Sequence, residues 1–208
     1  MQLRSNVGEK MKRTQHGFHS SNGLAAAGFL LMLALTGVIA WGQNAVTPPP
    51  RARAIKNFGK VNDNYFRGSQ PTQDQMAALK AMGVRTIVDL RKDYVPEARQ
   101  WASELGLNYF NIPLKPSKAA TKEQTEYFLS LVNDPANGPV YVHCKGGRHR
   151  TGALTAAYRI THDGWTAEQA YDEMKKYDFN DGLFGGPSAQ KKFVFEFYEQ
   201  RRVTLDRE

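Results

Sequence analysis

Residues 143–152 read HCKGGRHRTG, and this stretch holds the only cysteine of a 208-residue chain. Beside Cys144 stand Lys145, Arg148 and Arg150, two histidines (His143 and His149) and three glycines. A thiol reacts as the thiolate, and positive charge or a helix N-terminus lowers its pKa. Gly146 and Gly147 carry no side chains, so backbone amides there can converge on one point as an anion nest. Arg150 offers a planar fork that can bind two oxygens of one phosphate. Together these residues suit phosphoryl transfer to sulfur: an anion rests on amides and guanidinium, and Cys144 attacks phosphorus in line. Thr151 could donate a hydroxyl bond to the sulfur and ease its departure. His143 is better suited to fixing the loop through the backbone than to acting directly.

A loop of this kind needs a strand to deliver the thiol and a helix to receive the anion. PVYVHC (139–144) is a short apolar run ending at the cysteine, and Thr151-Gly152-Ala153 opens a helical stretch. TIVDL (86–90) and LNYFNI (107–112) read as further strands. Thr72-Gln-Asp-Gln75, Thr121-Lys-Glu-Gln124 and Thr166-Ala-Glu-Gln169 each fit a capping box that starts a helix. Gly83, Gly106 and Gly164 stand where helices would stop. Strands alternating with helices predict an α/β fold, a mostly parallel central sheet flanked by helices. In such sheets ligands bind beyond the carboxyl ends of the strands, where the loop lies. Helices are expected at about 151–163, 166–177 and 187–203. The aromatic stripe of the last one is core packing.

The first sixty residues have a different character. Residues 24–42, LAAAGFLLMLALTGVIAWG, carry no charge and follow a basic segment over 1–23. About 20 apolar residues span a bilayer core as a helix, so 24–42 is expected to be a transmembrane signal-anchor or a signal peptide. Residues 43–60, with three successive prolines, are expected to be a basic linker, leaving 61–208 as the catalytic domain. A short basic N-terminus favours a membrane-anchored or secreted protein with an extracytoplasmic domain, periplasmic if bacterial. Residues 1–60 hold eight Lys/Arg against one Glu, while 61–208 hold twenty against nineteen acidic residues. The overall charge of +8 therefore belongs to the N-terminus, and no nucleic-acid partner is expected. One cysteine excludes an internal two-thiol relay. Five histidines without zinc-type spacing give no reason to expect a metal or another cofactor.

The sequence His143-Cys-x5-Arg150-Thr151-Gly152 resembles the signature loop of the cysteine-based protein tyrosine phosphatase superfamily, in its compact dual-specificity-like bacterial branch. YFRGSQPT (65–72), GVRTIVDLR (83–91) and YRITHDGWTAEQAYDEM (158–174) extend the likeness over roughly residues 60–180. The resemblance implies a dual-specificity phosphatase-like fold, Cys144 as nucleophile, Arg150 as phosphate ligand and Thr151 as helper in breaking the phosphocysteine. A rhodanese-like sulfurtransferase loop is similar but one residue shorter and lacks the Arg-Thr-Gly ending. An inactive phosphate-binding module would share the fold. The family usually places an aspartate about thirty residues before the cysteine to protonate the leaving group. Here that region, NIPLKPSKAAT (111–121), has no carboxylate. Asp89, Asp93 and His149 are the substitute candidates. The expected substrate is protein phosphotyrosine. A phosphoinositide or inositol phosphate is the alternative, because Lys145 and Arg148 add positive charge to that of Arg150 in a phosphate-binding loop that includes Gly146, Gly147 and His149, similar to the loop of the superfamily's lipid-phosphatase branch.

Overall fold

The structure is a computed structural model and describes residues 48–181 and 188–205. The apolar run 24–42 and the basic segment before it lie outside the described residues. Among the described residues no helix is long and apolar enough to cross a membrane.

Elements follow in the order α1 (Pro50–Arg53), β1 (Gly59–Asn62), β2 (Tyr65–Ser69), α2 (Gln73–Ala81), β3 (Thr86–Arg91), α3 (Pro96–Glu104), β4 (Asn108–Leu114), α4 (Lys122–Asn133), β5 (Val140–Cys144), α5 (His149–His162), α6 (Ala167–Lys176) and α7 (Ala189–Leu205). The five strands form one sheet ordered β1-β2-β5-β3-β4. Among the described residues only β1 and β2 pair antiparallel; β2 with β5, β5 with β3 and β3 with β4 are parallel. This is the mostly parallel α/β sheet expected from the sequence. β5 is the central strand and every residue in it is buried.

Side chains alternate across the sheet, and the core divides accordingly. Val140, Val142 and Cys144 join Val88, Leu90, Phe128, Leu154 and Tyr158 on the face covered by α4 and α5. Tyr141 joins Met76, Leu79, Ile87, Ala98 and Ala102 on the face covered by α2 and α3. A third cluster, with Ala156, Ala170, Met174 and Val194, welds α5, α6 and α7 together. All three capping boxes form: Thr72, Thr121 and Thr166 each accept from the amide three residues on, and the Gln there reaches back. Such a cap contributes about 1 kcal/mol.

Two features differ from the sequence expectation. The stretch read as linker enters the fold well before residue 61. Pro50 takes the first helical position of α1, where a missing amide costs nothing, and Ala52 and Ile55 are buried. The hairpin of β1 and β2 is the second. β1 is only four residues long, and β2 contains a buried arginine and a glycine, so neither shows a β-branched run.

Candidate active site

β5 and α5 meet at the loop of residues 145–148. Cys144 is the last residue of the buried strand, and its side chain is almost wholly enclosed. Outward anchoring of the carbonyls sets the direction of the loop's peptide planes. The Lys145 carbonyl accepts from the Gln70 amide (3.3 Å). The Gly146 carbonyl accepts from Asn57 Nδ2 (2.8 Å). The Gly147 carbonyl accepts from Arg67 Nη2 (2.8 Å). In a trans peptide the amide hydrogen points opposite to the carbonyl. The amides of Gly146, Gly147 and Arg148 therefore turn to the other side, where the N-terminus of α5 adds its partial positive charge. Gly147 has φ +68, and a Cβ there would lie 2.5 Å from the Gly68 carbonyl carbon. The loop backbone thus rests directly on β2.

A cleft of about 320 Å³ opens over this loop, lined by Pro116, Cys144, Lys145, Gly146, Arg148, His149 and Arg150. Of the residues expected to bind phosphate, Lys145, Gly146, Arg148, His149 and Arg150 line it. Gly147 is buried behind them. Arg150 is largely buried, donates from Nη1 to the Leu114 carbonyl (3.2 Å) and has Asp93 Oδ1 at 4.0 Å. The β4 end thus orients the guanidinium. A larger cleft of about 600 Å³, between α4 and α7, contains none of these loop residues.

Burial alone would raise the Cys144 pKa, but the Thr151 hydroxyl and amide, the Arg150 charge and the Gly147 amide outweigh it and leave the thiol below its ordinary value. The Thr151 hydroxyl is buried, with no other partner among the described residues, and acts on the sulfur, where its dipole favours the thiolate. His143 is fully enclosed, with Nδ1 3.4 Å from the Cys144 carbonyl oxygen. Burial pulls its pKa down to about 4, so it is neutral near pH 7 and supports the loop without adding charge.

The three substitute acids are placed very differently. Asp89 is fully buried and accepts from Arg91 Nε (3.0 Å), Arg91 Nη2 (2.7 Å), the Arg91 amide (2.9 Å) and Tyr109 Oη (2.7 Å). Burial pushes its pKa up, but the Arg91 bonds overcome this and hold it below the usual carboxylate range. Asp89 is thus a locked structural anion without a proton to give, which removes it as a candidate acid. Asp93 is exposed at the rim beside Arg150. His149 lines the cleft, with its ring edge-on to Phe179 (centroids 5.1 Å apart). From the segment 111–121 only Pro116 reaches the cleft. Gln190 of α7 holds this segment through the Pro116 (2.7 Å) and Lys118 (3.2 Å) carbonyls. Among the described residues no group of His, Cys, Asp and Glu is arranged to hold a metal ion.

Sequence reasoning did not single out Asn57, Arg67 or Gln70, the residues that aim the loop. The signal available was the YFRGSQPT stretch, where an arginine inside a strand demands a partner.

A cysteine at the carboxyl edge of a parallel sheet, over a loop of converging amides, is the arrangement expected of a cysteine-based phosphatase. The chain belongs to that class: residues 50–194 match the family described as the DSP-PTPase phosphatase fused to NAD+ kinase. It is similar to the dual specificity protein phosphatase TpbA of Pseudomonas aeruginosa, 29% identical over 73% of each chain. It is also similar to the inositol diphosphatase DSP2 of Oryza sativa, 30% identical over 64% of this chain and 65% of that one. In fold it resembles the catalytic core of the PP-IP phosphatase SIW14 of S. cerevisiae, with TM-score 0.61, 23% identity and coverage of 74% and 93%.

Proposed function

We propose that this protein hydrolyses phosphate groups through a phosphocysteine on Cys144, and that its substrates carry more than one phosphate, an inositol diphosphate foremost. In the first step the Cys144 thiolate forms an S–P bond as the P–O bond to the leaving group breaks. The Gly146, Gly147 and Arg148 amides and Arg150 hold the equatorial oxygens. In the second step water attacks phosphorus, the S–P bond breaks toward the Thr151 hydroxyl, and inorganic phosphate leaves with the thiolate restored.

The observation that carries the substrate reading is the lining of the cleft. Lys145, Arg148, His149 and Arg150 line it together with Cys144, and among the described residues no carboxylate does. Such a wall favours a polyanion over a singly phosphorylated side chain. The segment without an acid fits the same substrate. When a phosphoanhydride breaks, the leaving oxygen belongs to another phosphate, which spreads its charge and needs little protonation. The likeness to proteins described as inositol diphosphatases adds support. A second reading, protein phosphotyrosine, is favoured by the likeness to TpbA and by the low proton demand of a phenol.

Phosphate release from an inositol diphosphate, a phosphotyrosine peptide and an alkyl phosphate distinguishes the readings. The diphosphate should give the highest kcat/KM, and Arg148→Ala should weaken it more than the peptide. Equal losses on both substrates, or a clear preference for the peptide, would replace the first reading with the second. Asp93→Asn and His149→Asn should slow the alkyl phosphate far more than the diphosphate.

A further inference from the structure

Arg67 sits in β2, two residues before Ser69, the residue paired with Cys144. Its side chain is fully buried. Nη2 holds the Gly147 carbonyl, and the guanidinium carbon lies 3.9 Å from the centroid of the Tyr177 ring. Nε and Nη1 are buried, with no hydrogen-bond partner among the described residues. A buried cation ordinarily has an anion beside it. The other buried arginines conform: Arg91 pairs with Asp89, and Arg150 has Asp93 within reach. Among the described residues no carboxylate forms an ion pair with Arg67. Glu173 on α6 acts on it electrostatically, but Arg159 already holds that carboxylate through Nη2 (2.7 Å) and Nε (3.1 Å).

The remaining groups acting on Arg67 or Cys144 narrow the choice of counter-ion. On β2 and β5, Tyr65 and Tyr141 are phenols whose pKa burial pushes up, so both stay neutral. Tyr177, beyond α6, contributes its ring face. From α5, Arg150 and the Thr151 dipole act on the sulfur, and neither is an anion. Cys144 also acts on Arg67, more weakly than Tyr65, Glu173 and Tyr177 do.

We propose that Arg67 is the buried counter-charge of the phosphate cradle: a positioning residue that holds the Gly147 carbonyl away from the anion and supplies, from behind the loop, a positive charge that no described carboxylate pairs with and that the Cys144 thiolate or the phosphate bound to it balances. The inference rests on the reading of Cys144 as a thiolate nucleophile. It explains why an arginine occupies a strand interior. The guanidinium reaches the back of the loop, binds a carbonyl that faces away from the site and leaves two nitrogens without a partner among the described residues.

The test is the pH dependence of Cys144 alkylation by iodoacetamide, read by mass. The single cysteine makes the signal unambiguous, and no substrate is needed. Arg67→Met should raise the alkylation midpoint by about one pH unit, the lower end of the effect of removing an opposite charge. Below the wild-type midpoint, alkylation should then be about tenfold slower. Arg67→Lys keeps the charge but not the fork. It should hold its midpoint near wild type while slowing phosphate release. A folded Arg67→Met protein with a wild-type midpoint would overturn the proposal. So would an Arg67→Lys midpoint raised to that of a free thiol, a result readable even if Arg67→Met does not fold. A protein that alkylates as described but releases no phosphate from any substrate would keep this inference and refute the proposed function.

Discussion

Gly147→Ala tests how the cradle is held. The residue has φ +68, and its Cβ would lie 2.5 Å from the Gly68 carbonyl carbon and 2.7 Å from both the Gly68 oxygen and the Ser69 nitrogen. All three atoms are backbone of β2 and cannot swing aside. The left-handed conformation alone costs an alanine about 1–2 kcal/mol. Relieving the clash moves the loop off β2 and breaks the bond from Arg67 to the Gly147 carbonyl, a charged hydrogen bond contributing about 1.5–3 kcal/mol. The expected loss is about 3 kcal/mol or more. At about 2–4 °C per kcal/mol for a chain of this size, the Tm should fall by about 6–12 °C. Displacing the amides by about 1 Å should also lower kcat/KM by about 100-fold. Gly83→Ala is the control: φ is +91, but nothing lies within 4 Å of the added Cβ. It should cost only the backbone strain and leave activity unchanged. Thermal melts and phosphate-release assays on both variants decide the matter. A Gly147→Ala protein no less stable than Gly83→Ala, with kcat/KM intact, would refute this account of the loop.

Two further outcomes follow from the buried charges behind the site. Asp89→Asn leaves Arg91 enclosed without its anion, so urea unfolding should show a loss of about 3–5 kcal/mol. The alkaline limb of its pH–rate profile, where a general acid loses its proton, should not change, because Asp89 has no proton to donate; a lost alkaline limb would return it to the candidate acids. His143, with a pKa of about 4 against 6.5 for an ordinary histidine, makes folding pH-dependent. Below pH 6.5 the unfolded chain takes up a proton that the folded one refuses. The stability His143 contributes is therefore present above 6.5, falls by about 1.4 kcal/mol per pH unit below it and is gone once pH passes through about 4. His143→Gln should flatten this dependence in urea titrations between pH 7 and 4.5, and an unchanged slope would exclude His143 as its source.

The candidate nucleophile and its loop were legible in the sequence because their residues are contiguous. Cys144, Arg150 and Thr151 lie within eight residues, between an apolar run and a helix start. The capping boxes were legible for the same reason, since each helix start is written in four residues. What the sequence concealed is the support from far along the chain. The bonds from Asn57 and Arg67 to the loop cross 89 and 80 residues, and no local pattern announces such a partner. Asp89 is the instructive middle case. Residues two apart on a strand share a face, so Asp89 and Arg91 in TIVDLR were readable as a salt bridge, and with them the loss of Asp89 as an acid. The linker was misjudged because consecutive prolines signal an extended spacer, while Pro50 in fact opens a helical turn that seats Ala52 and Ile55 in the core.

The central claim is that phosphate passes through the Cys144 sulfur. Rapid mixing with an inositol diphosphate or an aryl phosphate, a quench within one turnover and mass analysis of the Cys144 peptide test it directly. The account predicts one phosphoryl group on Cys144, accumulating further in Thr151→Ala as breakdown slows, and no turnover by Cys144→Ser. Phosphate release by Cys144→Ser at the wild-type rate, with no adduct on the native cysteine, would contradict it.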